Sequence, residues 1–410
     1  MTPAELSRAV LRSVRGAVED GELSVTVPER VVVRAPALRS GAGGGGDRDG
    51  DGGREADLAC NVALQVAKEA RRPPREVARV LRERLVGVPG VGAVEIAGAG
   101  FLNVRLTGPA RAGFVASVIA EGRGYGCARG GHGGGEHQGE GQDLGQGQDQ
   151  GQPQSHGQGQ GQDQGQGQPQ SHSQGQDQGQ SQSHGQGPVV LRAAPGVRAA
   201  VMVEALERIL PAGGVGAGST ADVKRTAGTA PEVIRPRPVE GNLGDWPALT
   251  ARLGPDEARW VLLRPAPHDA VRVPGRPVQR ESNGRFRVQY AYARTCAMTR
   301  NARELGFVAE PGDPGDGWQG REAREVWAAL AEFPGVVEAA ARHRAPDRIA
   351  RHLEVTADAW LRCHDVCPPL PVGEEKPSAV HRARLALAEA AGTVLANGLH
   401  LLGISTPERL

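Results

Sequence analysis

Four side chains on one segment carry the clearest capacity for recognition chemistry. Between Arg287 and Asn301, a helical projection at 100° per residue puts Arg287, Tyr290, Arg294 and Asn301 on one side. Val288, Ala291, Tyr292, Thr295, Thr299 and Ala302 share the opposite arc. The first set offers two guanidinium groups, a phenol and an amide to a partner, and the second can be buried against neighbouring helices. Asn283 before the segment can cap exposed amides, and Gly306 after it tolerates the left-handed conformation of a helix end. The segment is therefore expected to be a helix with two uses. An amphipathic helix with exposed Arg is also the ordinary form of a solvated face, so this pattern alone does not select a partner.

Catalytic and metal chemistry find less support. There is no Gly-x-Ser-x-Gly elbow, His-Glu-x-x-His pair or Walker loop. Cys363-His364-x-x-Cys367 has the look of half a zinc site, but four ligands are needed and no second pair has suitable spacing. The five Cys are odd in number and scattered, which argues against a disulfide framework. No resident metal is expected.

The elements that must position these groups follow from composition and periodicity. A 410-residue chain can hold two or three domains, but with 60 Gly and 3% aromatic residues much of its length cannot be packed interior. Residues 3–19 read as an opening helix and Val31–Val33 as a short strand, with a flexible glycine and aspartate loop from Gly41 to Gly53. Pro73-Pro74 opens a further helix. The segments around Val94 and Phe101 read as two strands joined through Gly98 and Gly100. Together these make a small α+β domain over residues 1–110. From 130 to 187 the chain is Gly, Gln, Ser, His and Asp, with Gln-Pro-Gln-Ser-His repeated, and is expected to be a disordered linker. Pro188–Arg192 reads as a strand and Arg198–Leu206 as a helix. From about 280 the pattern is all helix, with further helices over Glu322–Phe333, Pro346–Asp365 and Ser378–Asn397, whose short connections favour a bundle. No run approaches the ~18 apolar residues of a membrane span, and the first residues are not an apolar signal segment, so a cytoplasmic, membrane-free protein is expected. Net charge is +1, and basic and acidic residues balance from 280 to 410. Any RNA-binding surface must therefore come from segregation of charge.

Two groups of residues carry a family resemblance. Val288-Gln289-Tyr290-Ala291-Tyr292-Ala293-Arg294, with Arg300-Asn301-Ala302, resembles the first helix of the DALR-type anticodon-binding domain of arginyl-tRNA synthetases, which usually has His at the position of Tyr292. The ending from Val394 to Leu410 is similar to the C-terminus of that family. Asp57-x-x-x-Asn61-Val62-Ala63 followed by Gly100-Phe101-x-Asn103 resembles its N-terminal additional domain, whose corresponding strand approaches a base of the tRNA D-loop. The resemblance implies Phe101, Asn103, Arg287, Gln289, Tyr290, Arg294 and Asn301 as tRNA-binding residues. A ring at Phe101 or Tyr290 can stack on an unpaired base, while Arg287, Arg294 and the amides contact phosphates or base edges.

Between these ends, the 188–279 region resembles fragments of a class I catalytic domain. Its first strand and helix are joined only by Ala193-Ala194-Pro195-Gly196-Val197, where the family carries His-x-Gly-His to stabilise ATP phosphates. Lys224–Thr229 looks like a decayed mobile signature loop, and Trp260–Arg264 matches the strand that ends that domain. The resemblance thus implies a multidomain chain: an N-terminal α+β domain (1–110), a disordered linker (130–187), a degenerate catalytic remnant (188–279) and an all-α anticodon-binding bundle (280–410). The implied function is a non-catalytic, tRNA-binding paralogue acting on tRNA-Arg or arginyl-tRNA, with no cofactor. The alternatives are a residual arginine–tRNA ligase that uses ATP, or a module that binds an arginyl-tRNA-using enzyme.

Overall fold

The computed structural model describes residues 1–36, 56–128, 189–215, 231–239, 245–276, 279–315 and 320–410. The Gly41–Gly53 loop, the 130–187 linker and Lys224–Thr229 lie outside the described residues.

Helix α1 (Pro3–Glu19) starts where Thr2 and Glu5 satisfy each other's backbone amides in a capping box, with Pro3 in the first turn. Its apolar stripe, Leu6, Val10 and Val14, packs into the core beneath the sheet with Leu81 and Leu85 of α3 (Pro74–Val86). Strands β1 (Val33–Arg34), β2 (Leu58–Cys60), β3 (Val91–Ala97) and β4 (Phe101–Leu106) form an antiparallel sheet of order β1-β2-β4-β3. The expected strand at Val31–Val33 is displaced to Val33–Arg34, because Val31 instead turns into the core. Helix α2 (Val62–Ala70) follows β2. The hairpin between β3 and β4 turns through Gly98 and Gly100, with Gly100 at φ +141° and Pro74 backbone within 3.0 Å of where a Cβ would stand. Asp57 is buried and accepts from the Leu106 amide (2.7 Å) and the Arg111 guanidinium (2.9 Å), pinning the sheet to α4 (Gly108–Glu121).

Helix α4 carries the chain into the bundle. Phe114 meets Trp327 with ring centroids 4.8 Å apart. A short 3-10 turn at Gly122–Gly124 then brings Tyr125 against α9 (Arg321–His343). The expected helix end at Phe333 is corrected here: α9 continues through Pro334 to His343, because Val337, Ala340 and Ala341 keep one face buried. A proline inside a helix deprives the carbonyl four residues earlier of its partner, and that carbonyl is Leu330. The Tyr125 hydroxyl donates to Leu330 O at 2.7 Å and so takes up the freed acceptor. Tyr125→Phe leaves Leu330 O buried without its donor and is expected to lower stability by about 1–3 kcal/mol, read as an earlier urea midpoint. An unchanged midpoint would remove this contact from the account.

In the middle of the chain, β5 (Leu191–Ala193) pairs in parallel with β6 (Glu232–Ile234), and α5 (Val197–Ala212) follows β5. Helices α6 (Trp246–Leu253) and α7 (Pro255–Leu263) come next. Trp260–Arg264 is thus a helix and its cap, not the expected strand. Pro255 in the first turn, Asp256 and Glu257 at the positive helix end, and the i, i+4 pair Ala258 and Leu262 favour helix over an extended run.

The C-terminal bundle comprises α8 (Gly284–Glu304), α9, α10 (Asp347–Val366) and α11 (Ala379–Leu402). Each matches a helix expected from periodicity: α8 extends further at both ends, α9 and α11 run on at their C-terminal ends, and α10 is shifted by one residue. Helix α11 corrects the membrane expectation on composition: it is long and apolar enough to cross a bilayer, but 78% of its most apolar window is buried in the bundle. It is the core helix around which α8, α10 and α4 pack. Among the described residues no group of His, Cys, Asp or Glu could hold a metal ion, and Cys363 is instead a buried packing residue.

Candidate nucleic-acid interface

Asn283 caps α8 as its sequence position implied, its side chain accepting from the Phe286 amide at 3.3 Å, and Gly306 follows the helix at φ +77°. Between these ends, the inward arc is as anticipated for Val288, Ala291, Thr295 and Ala302, all buried. Tyr292 and Thr299 are only half-buried.

The outward stripe consists of Tyr290, Arg294 and Asn301. Tyr290 is 41% exposed, and Phe286 one turn earlier lies alongside it, rings 6.2 Å apart and inclined by 19°. This aromatic pair was not anticipated, although its i, i+4 spacing is the signal that would have found it. Asn301 is exposed, and Arg294 is half-buried with no partner for its guanidinium among the described residues. Arg287 differs: its Nε lies 2.9 Å from Asp358 Oδ1 on α10, and it also donates to Glu281 O at 3.2 Å, so part of its charge is already engaged.

Gln289 is a correction. It is 1% exposed and donates to Asp256 Oδ2 (2.9 Å) and Ser405 O (3.0 Å), while Arg285 donates to its carbonyl. Its amide holds α8 to α7 and to the C-terminal tail, and Arg285 extends this network to Glu257. Both amide hydrogens are used and the carbonyl is buried, so the side chain does not present itself to a base. The projection missed this because it compared only residues of α8, whereas the burial comes from Asp256 and Ser405, distant in sequence.

In the N-terminal sheet Phe101 is 44% exposed at the hairpin end of β4. Asn103, two residues on and on the same face, is only 8% exposed, because β4 is an inner strand with Ala59 of β2 and Glu95 of β3 on either side. That position corrects the expectation for Asn103: the ring is accessible and the amide is largely covered.

Tyr292 lies off the stripe, partly buried and packed against the edge of the core. Burial, with the Cys296 thiol beside it, pushes its phenol up to about 12, so it is a neutral group at neutral pH. It lines a groove between α8, α11 and the turn after α4.

With this geometry in place, comparison with known proteins is informative. Residues 288–410 match the DALR anticodon binding domain, and residues 53–106 match the arginyl tRNA synthetase N terminal domain. The chain is an arginyl-tRNA synthetase-related protein. It is 27% identical to the arginine–tRNA ligase of Frankia alni over the whole of both chains, in an alignment of 567 positions, so a substantial part of that ligase faces no residue here. It is 40% identical over 172 residues to the arginine–tRNA ligase of Renibacterium salmoninarum, a match covering 42% of this chain but 31% of the relative. Among solved structures, the Thermus thermophilus arginyl-tRNA synthetase aligns over the whole of both chains with a TM-score of 0.51 at 13% identity. The Plasmodium falciparum enzyme does so with 0.56 at 8%, and these likenesses bear on the fold alone. The outward stripe of α8 therefore lies inside a domain whose family is defined by anticodon binding.

Proposed function

We propose that this chain binds tRNA, with tRNA-Arg or arginyl-tRNA as its target, in the cytoplasm and without aminoacylating it. The observation that carries this reading is the placement of Tyr290, Arg294 and Asn301 on one accessible stripe of a helix within the anticodon-binding match. Phe286 steadies the Tyr290 ring for stacking on an unpaired base, Arg294 supplies charge for a phosphate, and Asn301 reads a base edge or sugar. Phe101, exposed on the N-terminal sheet, is a second stacking position. Tyr290→Ala is expected to lower affinity for tRNA-Arg by about 1.5–3 kcal/mol, tenfold or more. An unchanged dissociation constant in filter binding would take Tyr290 out of the interface.

The short connection between β5 and α5, only Ala194-Pro195-Gly196, supports the non-catalytic half of this reading. The region from 188 to 279 then stands as the remnant of a catalytic domain whose ATP-handling residues are gone. The full-length similarity to a Frankia alni ligase favours a second reading, an active arginine–tRNA ligase that takes ATP. Arginine-dependent ATP–pyrophosphate exchange separates the two. The purified chain is expected to give no exchange above a blank, and exchange at a synthetase-like rate would overturn the non-catalytic assignment.

A further inference from the structure

The groove beside Tyr292 lies where the end of α4 and the turn after it meet α8 and α11. It has a volume of about 420 Å³, and its lining includes Arg123, Tyr292, Arg300, Arg303, Glu389 and Asn397. The cationic groups come from two separate parts of the chain. Arg300 and Arg303 stand on the C-terminal half of α8, on the flank away from the Tyr290 stripe. Arg123 belongs to the turn that follows α4 and is exposed, with no partner for its guanidinium among the described residues. The turn itself is fixed: Asn397 Nδ2 donates to Gly122 O at 2.8 Å and to Tyr125 O at 3.0 Å. Asn397 thus holds the backbone on both sides of Arg123 from the core helix, and Arg123 is part of the groove lining.

Two carboxylates face these groups. Glu408 from the C-terminal tail lies 3.8 Å from Arg300, at the weak end of ion pairing and largely exposed. Glu389 on α11 is held by Thr299 (3.3 Å), and burial pushes its carboxyl up while Arg303 pulls it down. The groove therefore keeps positive charge without a facing partner at Arg123 and charge only partly offset by Glu389 at Arg303, with polar groups of Thr299, Thr393 and Asn397 also in its lining.

We propose that this groove is a second RNA contact, in which Arg123, with Arg300 and Arg303, engages backbone phosphates of the tRNA whose unpaired bases lie on the Tyr290 stripe. This rests on the tRNA-binding reading. It adds a site built jointly by the N-terminal module and the bundle. A phosphodiester is the fitting ligand because guanidinium forks match its oxygens and no base-sized stacking ring other than the half-buried Tyr292 lines the groove.

The test is filter binding of the full chain to a tRNA-Arg transcript over a salt series, comparing the parent, Arg123→Gln, Arg123→Lys and Tyr290→Ala. The Arg123 side chain is exposed and its guanidinium has no partner among the described residues, so its substitutions are expected to fold normally. Each lost phosphate contact flattens the slope of log affinity against log salt by about 0.7–0.9, which near physiological salt is roughly a fivefold loss. Arg123→Gln should show that change, and Arg123→Lys should recover most of the slope. If Arg123→Gln leaves the slope unchanged while Tyr290→Ala weakens binding, the groove is not a contact and the tRNA reading stands. If neither the parent nor any variant binds the transcript, both fall together.

Discussion

Arg198→Met is expected to destabilise the protein by about 4 kcal/mol, a loss visible as a much earlier urea midpoint. The guanidinium is 2% exposed in the first turns of α5. It donates to six backbone carbonyls: Leu262 (3.2 Å), Arg237 (3.0 Å), Pro267 (3.4 Å), Asp269 (2.9 Å), Pro265 (3.0 Å) and Ala266 (2.8 Å). The segment from 264 to 269, together with Arg237, has no strand or helix of its own to satisfy these acceptors, so one side chain replaces the missing ladder. Burial pulls the guanidinium below its usual range, opposed by the charges of Asp269 and Asp347. A methionine is of comparable length but donates to none of them; Ala266 O and Pro267 O keep the amides of Asp269 and Arg237, while the other four carbonyls lose this donor. Arg198→Lys should recover little, since an ammonium has three donors and no planar fork. A loss below about 1 kcal/mol for Arg198→Met would show that water reaches these carbonyls and that Arg198 does not organise the middle of the chain.

The second large effect is acid sensitivity through His352. This residue is 6% exposed on α10, its Nε2 is 3.0 Å from Ala329 O, and its ring stacks against Phe333. Burial holds its pKa down to about 4, against 6.5 in an exposed chain, with the Ala329 carbonyl opposing the shift. A depressed folded value means that the neutral form is the folded one. Its contribution is therefore complete above pH 6.5 and is lost as pH falls towards 4, because only the unfolded chain takes up the proton in that window. The whole shift corresponds to about 3 kcal/mol, of which roughly 2 is lost between pH 7.5 and pH 5. Burial raises the carboxyl groups of Glu332, Asp347, Asp358 and Glu389, which act in the opposite sense as pH falls. The contribution of His352 is thus isolated by comparing the parent with His352→Gln, which cannot be charged. The variant should lose less stability between pH 7.5 and pH 5 than the parent, by roughly 2 kcal/mol. Equal losses would mean that His352 takes up its proton at the same pH in the fold as in the unfolded chain.

Much of the architecture was legible because it is written in local spacing. The helices from 284 to 402 announce themselves through apolar residues at helical intervals, and the caps at Asn283 and Gly306 are local chemistry. What could not be read was whatever depends on a distant partner. Trp260–Arg264 has the composition of a strand, and its helical state is decided by Pro255 and by burial against α5. Gln289 has the type and spacing of a recognition residue, yet Asp256 and Ser405 consume its amide. Pro334 looks like a stop, and α9 runs through it because Tyr125, 205 residues away, takes up the carbonyl it frees. Arg123 carried no sequence signal at all, since its relation to Arg300 and Arg303 exists only once the N-terminal module is docked on the bundle. Tyr290, Arg294 and Asn301 were legible because their exposure follows from the periodicity of one helix.

The most direct test of the tRNA-binding account is filter binding of the purified full chain to tRNA-Arg and to an unrelated tRNA at physiological salt. The account predicts saturable binding that prefers tRNA-Arg and weakens at least tenfold in the Tyr290→Ala variant. Binding that is weak, indifferent to tRNA identity and abolished by salt would contradict it, and would leave the helical bundle as a surface for a protein partner.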